Sequence, residues 1–370
     1  MAKAPSKSRL RGLFGILKRK APQVGLTPAH VVHRENKWRL LHYQGGPADK
    51  ASTPLLIIPS LINRSYVLDL QPGRSFVEYL VNRGHDVYMI DWGTPTAEDR
   101  YLTFDDICDR YIGRAVRKVA RRSETGDVHL LGYCLGGTLA TIYTSVRPDY
   151  VATLTALATP IDFDDGGLLS TWSRISTFDL DALIDGFGNV PWQLMQASFN
   201  MLTPTLNLSK AMNVIDRAWD DEFLDGFFAI ERWGSDNVSF PGECYRRYIT
   251  ELYRQNALVR NRFSLSGEPV RLRNIGCPTL VVTFEHDNIV PISSAACLMD
   301  LISSEDKEQL TMRGGHVGAV VSRKASEGLW PAMSDWWLAR DEVAEDDEVP
   351  AAGGSGIVAA HERAGAGRDG

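Results

Sequence analysis

The sequence lacks the features that define several common protein classes. No apolar run in its 370 residues approaches the roughly eighteen residues that a membrane-spanning helix needs. Only five cysteines are present, they are scattered, and none forms a C-x-x-C pair, which argues against a disulfide framework and a zinc site. Because no G-x-G-x-x-G, P-loop or H-E-x-x-H pattern occurs, the sequence predicts neither a nucleotide cofactor nor a metal.

Strong charge of one sign is also missing. A net charge of −6 gives no electrostatic case for nucleic acid as a partner. Residues 1–20 carry seven Lys or Arg and no acid, but their apolar stretch LFGIL is too short for a signal peptide. A solvated basic tail is the simpler interpretation, and a surface-adsorbing amphipathic segment is the alternative. Together with the unpaired cysteines, these features predict a cytoplasmic protein.

Short apolar runs alternate with segments that can form helices. The runs predict strands at 55–60, 86–92, 128–134, 154–160, 279–284 and 309–312. Near-continuous apolar strands separated by helical segments are typical of an α/β protein whose mostly parallel central sheet has helices on both faces.

The alternation breaks once, over a long segment rich in Trp and Phe. Residues 161–258 are mostly helical in pattern and predict an inserted cap at the carboxyl edge of the sheet, where ligands bind in such folds. The predicted core is then residues 45–160 and 259–340, preceded by a basic N-terminal segment, 1–44. Residues 341–370 are rich in Gly, Ala and acids, and they predict a disordered tail.

The most informative stretch is VHLLGYCLGGTLATIYTS at 128–145, which predicts a strand, a tight turn and a helix. Gly132 and Gly136 flank Cys134, as expected where the turn packs too closely for a side chain. The amino end of the helix would point at the sulfur and favour the thiolate. Cys134 is therefore the predicted nucleophile, and the other four cysteines are predicted to be inert.

Such a nucleophile needs a base, and the base needs an orienting acid. In the α/β-hydrolase fold both follow the nucleophile, the acid first and the histidine second. TLVVTFEHDNIVP (279–291) supplies Asp287 just past a strand, while its neighbours Glu285 and His286 lie nearer the strand. QLTMRGGHVGAV (309–320) supplies His316 after two glycines. Cys134, Asp287 and His316 are the predicted catalytic residues.

An acyl-transfer site also needs two backbone amides to hold the oxyanion. One is the residue after the nucleophile, Leu135. The other belongs to the loop after the first predicted strand; it is placed at Leu61, and Ile62 is one residue away.

Longer stretches carry a family resemblance: PSLINRSYVLDLQPGRSFVEYLVNRGHDVYMIDWGTP, GYCLGGTLA, ERWGSDNVSFPGECYRRYITELYRQNAL, EHDNIVP and GGHVG. Over about residues 22–340 the chain resembles the catalytic subunit of the class III polyhydroxyalkanoate synthases. The resemblance implies an α/β-hydrolase fold, polymerisation of 3-hydroxyacyl-CoA thioesters with CoA as the leaving group, and no cofactor. It also implies a second, non-homologous subunit, an oligomer, and a place at the surface of cytoplasmic polyester granules.

Two other functions stay open at this stage. A cysteine hydrolase of the dienelactone hydrolase or thioesterase type also carries G-x-C-x-G-G, but such enzymes are compact, whereas 153 residues separate Cys134 from Asp287. A non-catalytic granule-surface protein would need no reactive cysteine. Products from a 3-hydroxyacyl-CoA would test the first alternative, and thiol titration the second.

Overall fold

The structure is a computed structural model that describes residues 19–175, 177–202 and 206–346. Most of the basic stretch at 1–20, and the tail beyond 346, lie outside the described residues. In the described part no helix combines the length and apolarity that a membrane span requires.

The main sheet has eight strands in the order β1-β2-β4-β3-β5-β6-β9-β10. All neighbours pair in parallel except β1 with β2 and β2 with β4. The strands are β1 (Ala29–Glu35), β2 (Trp38–Tyr43), β3 (Leu55–Ile58), β4 (Val87–Asp91), β5 (Val128–Tyr133), β6 (Val151–Leu157), β9 (Thr279–Phe284) and β10 (Lys307–Met312), with β7 (Ser264–Leu265) and β8 (Glu268–Pro269) forming a separate hairpin. The predicted α/β-hydrolase class is confirmed.

Helices cover both faces of this sheet. One apolar core packs α2 (Gly113–Ala120) and α3 (Leu135–Val146) against one face of the sheet. The other core packs α1 (Phe76–Asn82) and α13 (Trp330–Asp346) against the opposite face. The helices are α1 (Phe76–Asn82), α2 (Gly113–Ala120), α3 (Leu135–Val146), α4 (Leu168–Ser173), α5 (Leu180–Phe187), α6 (Trp192–Leu202), α7 (Leu206–Asp216), α8 (Asp221–Ser235), α9 (Gly242–Arg247), α10 (Ile292–Ala296), α11 (Leu298–Leu301), α12 (Gly318–Val321) and α13 (Trp330–Asp346). π-Helical turns at Asp106–Ile112 and Tyr248–Arg254 precede α2 and follow α9.

In the main sheet six strands lie where the sequence predicts them, with ends shifted by up to three residues, and two, β1 and β2, were missed; the short strands β7 and β8 were not predicted either. β1 and β2 fall inside the predicted N-terminal segment 1–44. β1 is an edge strand with mostly exposed side chains, and β2 alternates between buried and half-buried ones. Neither presents the near-continuous apolar run on which the strand predictions rested.

The carboxyl-terminal boundary also differs from the prediction. Helix α13 continues through Asp346, so residues 341–346, predicted to belong to the disordered tail, are helical. Asp341 is buried, and its carboxylate accepts a hydrogen bond of 3.0 Å from the Thr53 N–H. One turn earlier, the Trp337 indole donates to the Thr155 hydroxyl at 3.0 Å. These contacts fix the helix to the sheet, which an acidic composition alone does not reveal.

The segment between β6 and β9 carries helices α4 to α9. It includes the range 161–258 that the sequence predicts as a cap. The helices α6, α7 and α8 contribute residues to a cavity over the carboxyl ends of the strands, where β5 ends at Tyr133 and β9 ends at Phe284. The insertion therefore lies at the sheet edge that parallel α/β proteins use for ligands.

Candidate active site

Cys134 is the single residue between the end of strand β5 and the start of helix α3. Its backbone has φ +55° and ψ −130°, a conformation that residues other than glycine rarely adopt. Such strain persists only where the surrounding structure imposes it, and it is often found at functional sites. The turn therefore holds the cysteine at the carboxyl edge of the sheet.

Close packing of this turn explains its glycines. A Cβ on Gly132 would lie 2.3 Å from the Gly137 Cα, and one on Gly136 would lie 2.1 Å from the Ile58 carbonyl oxygen. A Cβ on Gly137 would lie 1.8 Å from the Thr159 hydroxyl oxygen, a constraint that the sequence did not reveal. The start of α3 thus presses against the ends of β3 and β6.

Asp287 and His316 form a buried hydrogen-bonded pair. The distance from His316 Nδ1 to Asp287 Oδ2 is 2.7 Å. The other carboxylate oxygen, Oδ1, accepts hydrogen bonds from the Ile289 and Val290 N–H groups at 2.8 and 2.9 Å. Because both oxygens are engaged, the carboxylate is fixed in orientation and in turn fixes the imidazole ring.

The charge state of His316 depends on Cys134 as well as on Asp287. Burial lowers the pKa of His316, but the charges of Cys134 and Asp287, and hydrogen bonds to both side chains, raise it to about 10. The imidazole is therefore held in its protonated form beside the cysteine. The structure brings together the three residues that the sequence predicts as nucleophile, acid and base, and their catalytic roles are a proposal.

The two neighbours of the predicted acid have other partners than His316. Glu285 forms an exposed ion pair with Arg313 at 3.5 Å. His286 lines the cavity, and its N–H donates to the Gly314 carbonyl at 2.9 Å. Neither contact is with His316.

Tyr133 contributes to the site and was not predicted. Its buried hydroxyl donates to the backbone carbonyl of His316 at 3.2 Å, and the two rings lie 5.4 Å apart. The sequence does not indicate this contact, because the partner of Tyr133 is a main-chain atom 183 residues away.

A cavity of about 660 Å³ contains both Cys134 and His316 in its wall. Much of the wall comes from the cap and is apolar, with Trp192, Phe199, Ile230 and Trp233 among its residues. A cavity of this size and lining can enclose an acyl chain and exclude much of the water around it.

The two residues predicted to supply oxyanion amides, Leu135 and Leu61, lie in different surroundings. Leu135 is the first residue of α3, so its N–H has no acceptor within the helix. Leu61 lines a separate cavity of about 30 Å³ beside Trp38, whereas Ile62 lines the cavity of Cys134. The Ile62 N–H donates to the Ser60 hydroxyl at 3.3 Å. These side-chain positions do not test the Leu61 amide, which stays a prediction.

The remaining four cysteines are predicted to be inert, and their surroundings agree with that. Burial raises the pKa of Cys277 to about 11 and that of Cys297 to about 12. Burial also raises the pKa values of Cys108 and Cys244 far above the usual range. All four are therefore held as neutral thiols. Among the described residues, no group of three or more His, Cys, Asp or Glu side chains is arranged to hold a metal ion.

Two family profiles match this chain. One, described as the alpha/beta hydrolase fold, covers residues 53–320. The other, described as the N-terminus of poly-beta-hydroxybutyrate polymerase (PhaC), covers residues 21–80. The two ranges overlap at 53–80, so the second profile bridges the N-terminal strands and the start of the core.

Curated relatives share the name poly(3-hydroxyalkanoate) polymerase subunit PhaC. The chain is 39% identical to the Haloferax mediterranei protein over 326 residues, 88% of this chain and 66% of that one. It is 35% identical to the Allochromatium vinosum protein over 331 residues, 88% of this chain and 92% of that one. Identity to the Cupriavidus necator protein is 29%, over 85% of this chain and 56% of that one.

Solved structures show the fold alone. The non-heme bromoperoxidase BpoC of Mycobacterium tuberculosis H37Rv superposes with a TM-score of 0.54 at 16% identity, covering 84% of this chain and 99% of that one.

Proposed function

The chain belongs to the poly(3-hydroxyalkanoate) polymerase family, within the α/β-hydrolase fold, and from this membership we propose that it polymerises 3-hydroxyacyl-CoA thioesters into polyester with release of CoA. The observation that carries the proposal is the buried pair of Asp287 and His316 beside Cys134, in a cavity covered by the cap. Relatives with the polymerase name match 88% of the chain.

The first half of the reaction loads the cysteine. His316 takes the proton of Cys134 as the sulfur attacks the carbonyl carbon of the substrate thioester. The Leu135 N–H, together with an amide of the loop after β3, stabilises the oxyanion. The carbon–sulfur bond to CoA then breaks, the CoA sulfur takes the proton from His316, and an acyl-cysteine remains.

The second half extends the chain and explains why the nucleophile is sulfur. A 3-hydroxyl group attacks the acyl-cysteine, its proton passes to His316, and the Cys134 sulfur leaves as a thiolate. In the first half the CoA thioester is exchanged for the Cys134 thioester at nearly equal energy. In the second half the Cys134 thioester is exchanged for a more stable oxoester in the polymer. Polymer growth therefore needs no ATP. Asp287 orients the imidazole throughout.

The cap has a role in partitioning between polymer and free acid. Water would hydrolyse the acyl-cysteine, and the apolar cap residues Trp192, Phe199, Ile230 and Trp233 displace water from the cavity. A compact hydrolase without such an insertion would release free 3-hydroxy acid.

The partners follow from the same proposal. The relatives' names contain the word subunit, which supports an enzyme of more than one kind of chain. The proposed assembly contains a second, non-homologous subunit and more than one copy of this chain, acts without a cofactor or nucleic acid, and works at the surface of polyester granules in the cytoplasm.

The direct test is to mix the purified chain with 3-hydroxybutyryl-CoA and to follow free thiol and turbidity. CoA release together with polymer is the expected result, with a lag that a helical partner subunit shortens. A Cys134→Ala variant is the control and should release no CoA. Stoichiometric free 3-hydroxybutyrate without polymer, with or without candidate partners, would identify a thioesterase instead.

A further inference from the structure

Four side-chain amides form a continuous chain in the wall of the Cys134 cavity. They belong to Asn63 in the loop after β3, Gln196 and Asn200 on α6, and Asn237 just after α8. The Asn63 Nδ2 donates to Asn237 Oδ1 at 2.7 Å, the Asn237 Nδ2 donates to Gln196 Oε1, and the Gln196 Nε2 donates to Asn200 Oδ1 at 3.2 Å. Every donor points the same way, from the core towards the outer part of the cap.

The chain leaves hydrogen-bonding capacity within the cavity. A side-chain amide has two N–H donors and an oxygen with two lone pairs. The links described above use one N–H of Gln196 and do not use the oxygen of Asn63 at all. Gln196 therefore keeps one N–H, and Asn63 keeps its oxygen, for a bond to a ligand, whereas both N–H groups of Asn237 are engaged, one by Gln196 and one by the Gly234 carbonyl at 2.9 Å.

These amides lie beside a largely apolar part of the cavity wall, and the wall also contains the Lys210–Glu231 ion pair at 2.6 Å. The wall beside them is formed by Trp192, Phe199, Ile230 and Trp233. A polar strip in an apolar pocket fixes the orientation of a ligand, because a group left without its partner there costs more than it would in water. The strip starts at Asn63, which shares the cavity wall with Cys134, and runs to Asn200, which is exposed.

We propose that this amide strip binds the pantetheine arm of the substrate CoA thioester, an inference that rests on the proposed polymerase function. The arm carries two secondary amides, each with one N–H donor and one carbonyl acceptor, and ends in the thioester sulfur. Side-chain amides match that chemistry, since the strip as a whole offers both donors and acceptors. The arm lies along the strip with its sulfur towards Cys134 and its phosphates towards solvent beyond Asn200.

The decisive variant is Gln196→Met, which keeps the length and the helix-forming tendency of the side chain but breaks the strip in its middle. A lost hydrogen bond weakens binding by about two- to tenfold. We expect the KM for 3-hydroxybutyryl-CoA to rise by about two- to tenfold, with kcat nearly unchanged. The 3-hydroxybutyryl thioester of a simple alkanethiol has no amide, so its kcat/KM should stay at the value for the unmodified chain.

Two further variants separate binding from folding. Asn200→Ala changes an exposed residue at the end of the strip and should raise the KM for the CoA substrate by about two- to tenfold. Asn189→Ala is the control, because it removes a hydrogen bond of 2.6 Å between the cap and the Thr96 carbonyl outside the cavity. The KM of the control should not change.

The outcomes distinguish the two proposals. If the unmodified chain releases no thiol from either thioester, the polymerase proposal fails. If it is active, but Gln196→Met and Asn200→Ala change both thioesters by the same factor, or change neither, then the strip does not bind the pantetheine arm. Pantetheine alone, used as a competitive inhibitor, gives an independent measurement, and its inhibition constant should rise in both variants.

Discussion

The Tyr133 hydroxyl holds the main chain of His316. It donates to the His316 carbonyl at 3.2 Å from a position one residue before Cys134. The end of β5 therefore positions both Cys134 and the loop that carries His316. The His316 imidazole is fixed separately by Asp287, so main chain and side chain of the same residue are held by different elements.

Tyr133→Phe should remove this hydrogen bond without creating a new cavity. The ring remains, but the buried carbonyl loses its donor, which costs about 1–3 kcal/mol. We expect a lower melting temperature and a kcat reduced by up to about tenfold, with KM little changed. Calorimetry and CoA release measure the two effects. Tyr79→Phe on α1 is the control and should leave kcat as it is; an equal fall in both variants would contradict the assignment.

Cys134→Ser should separate acylation from polymerisation. A hydroxyl is far less acidic than a thiol, so CoA release should slow by about 10²–10⁴. The acyl-serine is an oxoester, equal in energy to the polymer bond, so chain transfer loses its driving force. Mass spectrometry should show free 3-hydroxy acid or trapped acyl-enzyme, while Cys277→Ser behaves like the unmodified chain. Substantial long polymer from Cys134→Ser would refute the thioester explanation for the cysteine.

Gly136→Ala should be severely destabilising. The added Cβ would lie 2.1 Å from the Ile58 carbonyl oxygen and 2.6 Å from that of Pro59, and both are backbone atoms. We expect insoluble protein, or a loss of more than about 4 kcal/mol in urea unfolding. Gly186→Ala is the matched control: it lies in α5 with nothing within 4 Å of the new Cβ, and should stabilise by about 0.5–1 kcal/mol. Similar stabilities for the two variants would show that the turn has room.

His85 should make stability fall in mild acid. Burial, with a smaller effect from His129, lowers the pKa of His85 to about 4, and its Nε2 lies 2.8 Å from the Ser334 hydroxyl oxygen. Between pH 6.5 and 4 the unfolded chain binds a proton that the folded chain does not, so the free energy of unfolding falls as pH falls. The slope is at most about 1.4 kcal/mol per pH unit.

Comparison with His85→Gln isolates this contribution. Urea unfolding at pH 7, 5.5 and 4.5 should show a smaller decline in the variant, because all other titrating groups are common to both chains. Identical pH dependence in the two proteins would mean that His85 is protonated equally in the folded and unfolded states.

The sequence was most informative where chemistry and local structure coincide. The strand, glycine turn and helix around Cys134 are encoded within one short stretch, so the position of Cys134 in the turn could be predicted. Asp287 and His316 could be predicted because the hydrolase fold fixes their order after late strands. β1 and β2 were missed because their half-exposed faces lack a near-continuous apolar run.

The sequence by itself determined the class of fold and the alternation of its strands and helices, and it picked out the three residues that are proposed as nucleophile, acid and base. These depend on local patterns, which neighbouring residues in the chain specify. Only the tertiary structure decided that Tyr133 contacts a main-chain atom of His316 and that Ile62 lines the cavity of Cys134. It also decided that Asn63, Asn237 and Gln196 are connected by hydrogen bonds. Those contacts link residues distant in sequence, and their side chains carry no local signal until packing brings them together.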